Sequence, residues 1–126
     1  KWNFKQIIMA ADSKPHAYFG NSVTLSDSIA VVGAMGDRLD STMSVDENVY
    51  AGATYIFKLN KKKEWEQIQK LVSDKRSLWD KYGFSVSAFK NTIVVGSRFE
   101  KEDSEGKNPI EEAGAVYIYD LPRKRK

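Results

Sequence analysis

Charged side chains gather in three polar stretches of the chain, and these are the residues with which it could bind or transform something. Residues 35–50 carry Asp37, Arg38, Asp40, Asp46 and Glu47; residues 98–112 carry Arg98, Glu100 and Asp103; residues 72–81 carry Asp74 and Arg76. The pairs Asp37/Asp40 and Glu102/Asp103 have the residue types for general acid–base work, but such work needs carboxyls held rigidly, and long polar loops do not hold them so. His16 is the single histidine, it sits in a polar loop, and we expect it at the surface. A serine triad therefore has one imidazole to draw on, and the absence of cysteine removes thiol nucleophiles, thiolate metal sites and disulfides. We expect no enzyme, no cofactor and no resident metal, and read the ten charged residues as candidates for ligand recognition.

Composition bounds the rest. A chain of 126 residues, 41% hydrophobic and 29% charged, belongs with ordinary globular sequences. Its net charge of +3 owes much to Lys61-Lys62-Lys63 and to Arg123-Lys124-Arg125-Lys126, a turn and a tail. A nucleic-acid surface needs basic residues on one ordered face, so no nucleic-acid partner is expected. No apolar run approaches the roughly 20 residues that span a bilayer, so no membrane insertion is expected either.

The elements that must position the charged loops read as strands. Residues 19–25 alternate, Ser26-Asp27-Ser28 turns the chain, and residues 29–34 form an apolar run that suits a strand buried on both faces. The same text returns 63 residues on: Gly83 follows Gly20, Gly96 follows Gly33, and Trp65 follows Trp2 at one constant offset. An internal repeat of this length signals an array of small β units. Residues 51–59 and 113–121 are further strands, and 65–71 repeats the alternation of 2–9, so both of these are expected as outer strands. No segment longer than one turn shows helical period. We expect an all-β chain of eight strands in two four-stranded antiparallel sheets, one spanning about residues 18–71, the other 82–121 completed by 1–9. Residues 2–9 can complete a sheet only beside the last strand. Gly33 and Gly96 end buried strands where a side chain would clash, and valine at either is expected to destabilise.

Phe19-Gly20 with Val31-Val32-Gly33-Ala34 and Ala51-Gly52-Ala53-Thr54-Tyr55-Ile56-Phe57, then Tyr82-Gly83 with Val94-Val95-Gly96-Ser97 and Ala113-Gly114-Ala115-Val116-Tyr117-Ile118-Tyr119, resemble the FG-GAP repeat. Trp65 with Gln69-Lys70-Leu71 is similar to the outer-strand signature of its bacterial branch. The resemblance implies blades of an integrin α-like β-propeller. It also implies an extracellular or cell-surface adhesion module in which the loops of one propeller face recognise a protein or a glycan. Integrin-like blades hold calcium in an Asp-rich loop between their first two strands. Here that loop is only Ser26-Asp27-Ser28 or Phe89-Lys90-Asn91, too short for the six or more oxygen ligands calcium takes.

Two readings remain open from sequence: a binding module, and a structural segment of a larger assembly. Propellers close at about four to eight blades. Two units are therefore expected to need further blades, either from a longer parent chain or from other copies joined end to end, three copies making six blades.

Overall fold

The alternating and apolar texts fold as two hairpin-based sheets in a computed structural model that describes residues 1–38, 50–74, 79–99, 113–120 and 122. Strands β1 (Phe19–Ser26), β2 (Ile29–Ala34), β3 (Ala53–Leu59) and β4 (Trp65–Leu71) form the first sheet, in chain order and antiparallel throughout. Strands β5 (Tyr82–Phe89), β6 (Thr92–Ser97) and β7 (Ala115–Asp120) form the second in the same way. Described residues contain no helix long and apolar enough to cross a membrane.

Register explains the pattern of the sequence. Val23 pairs with Val32 and Leu25 with Ala30, while Val86 pairs with Val95 and Ala88 with Ile93, so the 63-residue offset is kept in the pairing itself. β1 and β5 each break register at one place, between Phe19 and Ser22 and between Tyr82 and Ser85. The glycines there, Gly20 and Gly83, take φ of 96° and 86°, a region open to glycine at no steric cost.

β2 lacks alternation because both of its faces are covered. On one side Val32 and Ala34 join Ala53, Tyr55 and Phe57, with Phe19, Trp65 and Ile8 packed alongside. On the other, Val31 and Ile56 of the first sheet meet Ile93 of the second, with Val86, Ala88, Tyr119 and Leu71 around them. The sheets thus stack face to face, as neighbouring blades do. The contact is close at its narrowest point: a Cβ on Gly33 would collide with the carbonyl oxygen of Gly83, and one on Gly83 with that of Ala53.

One expected strand is missing. Residues 2–9 have no strand partner and do not lie beside β7, so the second sheet has three strands among the described residues where four were expected. The segment is drawn instead to the first sheet. The Gln6 amide donates to the carbonyl of Trp65 (3.0 Å) and accepts from its N–H (2.9 Å), filling the open edge of β4 with a side chain in place of a strand. Ile8 packs on the Tyr55 face, and the N–H of Ala11 donates to Gln67 (3.0 Å). Trp2 and Phe4 stay 100% and 81% exposed, so this docking leaves the largest apolar groups of the segment uncovered.

Candidate functional site

Every short turn lies at one end of the sheets: Asp27-Ser28, residues 60–64 and Lys90-Asn91. All the longer connections, 10–18, 35–52, 72–81 and 98–114, leave from the other. That end is the candidate site. Its backbone is tied across both sheets, for Gly36 donates to the Ala17 carbonyl (3.0 Å), Gly52 to Asp37 (3.0 Å), Lys81 to Tyr50 (2.7 Å) and Phe99 to Asp80 (3.2 Å).

Three aromatic rings form a run along it. Tyr18 stacks on Tyr50 with ring centroids 6.0 Å apart and planes 5° from parallel, and Tyr50 stacks on Trp79 at 5.2 Å and 26°. Tyr18 is 47% and Trp79 45% exposed, so the two ends of the run offer ring surface to solvent. His16 tilts against Tyr18 at 6.4 Å. The ammonium of Lys81 lies over the rings of Tyr50 (5.4 Å) and Phe99 (4.8 Å), and the guanidinium of Arg98 lies 5.0 Å from the ring of Phe84 and 5.1 Å from that of Phe99. Each places a cation against a π face, an attraction of about 0.5–1 kcal/mol at exposed sites. The Tyr18 hydroxyl beside it, with partial burial, raises the Tyr50 phenol above its ordinary range.

Backbone strain at this end comes from the repeat. His16 and Trp79, 63 residues apart, have φ of 60° and 71°, and Tyr18 and Lys81, again 63 apart, have 55° and 53°. In both repeats the carbonyl of the second of these positions accepts from the N–H three residues on, Tyr18 from Asn21 (3.0 Å) and Lys81 from Phe84 (2.9 Å). The architecture fixes the backbone and leaves the side chains free to differ: His, Ala and Tyr in one repeat, Trp, Asp and Lys in the other.

Beneath the surface lies a charge cluster. Asp37 is fully buried and receives Lys14 at 3.5 Å and Lys70 at 2.9 Å. Lys70 also meets Asp12 at 2.6 Å, and Tyr55 donates to the same carboxylate at 2.7 Å. Burial by itself would raise the Asp12 carboxyl, but the bonds from Lys70 and Tyr55 and the charge of Lys14 outweigh it and hold the group below its ordinary value. Two lysines against two carboxylates make this cluster a fastening between residues 10–14, the turn after β2 and β4.

The candidates named from sequence fall into different places. Asp37 lies under the surface in that cluster. Arg38, 8% exposed, donates to the Pro15 carbonyl (3.4 Å), and Arg98 is exposed on the aromatic rings. Asp74 is exposed in the turn after β4. Asp40, Asp46, Glu47, Arg76, Glu100 and Asp103 lie outside the described residues. His16 is at the surface, as expected. No three His, Asp or Glu side chains gather in a metal-holding group among the described residues. What charge-based reasoning missed is Tyr18, Tyr50, Trp79 and Lys81. The available signal was Trp79, a tryptophan inside an otherwise polar loop.

The FG-GAP repeat family matches the chain twice, over residues 2–57 and 65–119. The chain belongs to the FG-GAP repeat family. Its two sheets are propeller-type blades, each match taking in an outer-strand text and the three strands that follow. FG-GAP repeats occur in integrin-like propeller domains, often extracellular, and serve as structural and binding repeats rather than catalytic ones. No curated protein matches the chain.

Proposed function

We propose that this FG-GAP pair is a non-catalytic recognition module of the cell surface or extracellular space, and that its ligand is a glycan or a glycan-bearing protein held on the loop-bearing end. The observation that carries this reading is the aromatic run Tyr18, Tyr50 and Trp79, with Lys81 against it. Stacked rings give a broad apolar surface at low cost in side-chain entropy, which suits the apolar face of a sugar ring, and the polar rim of Lys81, Arg98 and His16 suits its hydroxyls or an attached acid.

Binding to immobilised acidic and neutral glycans and to matrix glycoproteins tests it, with Trp79→Ala and Tyr18→Ala as variants. Both residues are half exposed, so the fold should survive while binding falls at least tenfold. Equal binding by the parent and both variants would remove the aromatic run from recognition. A second reading, that the blades act as assembly elements, draws on the uncovered apolar faces of the two sheets.

A further inference from the structure

We propose that the two outer faces of this chain mate with each other between copies, head to tail, through a repeat of the contact that already joins its two sheets. The occupant of each open face is a second copy of the same chain. Where the internal contact buries a residue, the counterpart one repeat away is exposed. Val86 and Ala88 of β5 pack in the cluster between the sheets, and their counterparts 63 residues earlier, Val23 and Leu25, are 67% and 65% exposed on the outer face of the first sheet. Thr54 and Ile56 of β3 are 0% and 1% exposed at the same contact; their counterparts 62 residues later, Val116 and Ile118, are 64% and 70% exposed on the outer face of the second.

The polar details repeat the pattern. Across the internal contact the Ser22 hydroxyl donates to the Gly83 carbonyl at 2.8 Å, and Gly52 pairs with Tyr82 in a parallel bridge. The Ser22 counterpart is Ser85, which makes no such bond among the described residues, and the Gly83 counterpart is Gly20, around which nothing lies within 4 Å of a Cβ position. Ser85, Gly96, Gly114 and Val116 line an open cleft of about 450 Å³ on the second sheet. It is the counterpart of the place on the first sheet into which Tyr82 and Gly83 insert. The chain has one plug of that shape left uninserted, Phe19-Gly20. A second copy therefore brings both the plug for the cleft and the apolar face for Val116 and Ile118.

The missing eighth strand follows from the same placement. Leu71 of β4 packs against the contact between sheets, and Ile8, 63 residues earlier, packs on the outer face of the first sheet. Residues 2–9 thus stand to the first sheet as β4 stands to the second, and a mated copy would bring its residues 2–9 beside the open edge of β7. One end of each copy meets the other end of the next, a heterologous contact that closes into a ring when the rotation suits. With propellers closing at about four to eight blades, a ring takes about two to four copies.

The test uses light scattering on the intact chain and on Val23→Asp and Ile118→Asp, which put a charge on one outer face each at positions already exposed. We expect the parent to be a closed oligomer of two to four chains, either variant alone to be a monomer, and an equimolar mixture to form a one-to-one dimer that grows no further. In that dimer residues 2–9 of the Ile118→Asp copy should gain hydrogen-exchange protection. A monomeric parent, variants that still assemble alone, or a mixture that stays monomeric would each overturn the proposal. Val23→Ser and Ile118→Ser, with circular dichroism as a check on the sheets, give the same readout should the charged variants misfold.

Discussion

Gly33 and Gly96 hold the same place in the two repeats but have different neighbours. A Cβ at Gly33 meets the backbone oxygen of Gly83 on the facing sheet as well as the Ser22 hydroxyl, whereas at Gly96 it meets the Ser85 hydroxyl, which a rotamer change moves away. In the Ile118→Asp background, where the outer face of the second sheet stays uncovered, Gly33→Ala is therefore expected to destabilise by about 1–3 kcal/mol, the range for overpacking, and Gly96→Ala by much less. Denaturant titration of both variants checks this; equal losses would mean that Gly33 is not the point where the sheets approach. The expectation from sequence treated the two glycines alike, because the offset that pairs them carries no information about which face is covered. Asp12 gives a second prediction at this scale. Its folded pKa lies below the ordinary 3.8, so ionised Asp12 stabilises the fold above that pH, and the contribution is lost as pH falls through the folded value. In Asp12→Asn the acid limb of the stability curve should be shallower below about pH 4, with Lys70 left to Asp37 alone.

At the scale of elements, the sequence specified seven strands and the pairing between them because alternation, turn length and the constant offset all agreed. The start of β3 moves from Ala51 to Ala53, since Ala51 and Gly52 are taken up by the neighbouring sheet: Tyr82 donates to the Ala51 carbonyl (3.2 Å), and Gly52 bridges to Tyr82. Residues 2–9 show the limit. They carry the same alternating text as β4, yet a strand exists only where an open edge faces it, and the nearest surface is the first sheet. In the unassembled Ile118→Asp chain, Gln6→Ala should free this segment, seen as faster amide exchange over residues 2–9, while β4 keeps its protection through β3. The aromatic run was not legible because its rings come from three loops, and Tyr18, Tyr50 and Trp79 have no periodicity that links them. Charge drew attention to Asp37, and burial turned that residue into a fastening.

For the whole molecule, the balance between covered and uncovered apolar faces decides how stable the chain is on its own. Val23, Leu25, Val116 and Ile118 are all more than 60% exposed, beside an open edge on β7. Association that covers them binds only the folded state, so the melting temperature should rise with protein concentration for the parent and stay flat for Ile118→Asp. Differential scanning at several concentrations reads this directly.

Strands that are neighbours in each sheet are also neighbours along the chain, and this order has a kinetic consequence. The β1–β2, β3–β4 and β5–β6 hairpins close through short turns, so refolding from denaturant should begin with a fast phase whose rate is independent of concentration. Residues 2–9 are the exception, because their proposed partner is another molecule. Their protection should appear in a later, second-order phase that quickens in proportion to chain concentration, and pulse-labelled exchange would separate the two.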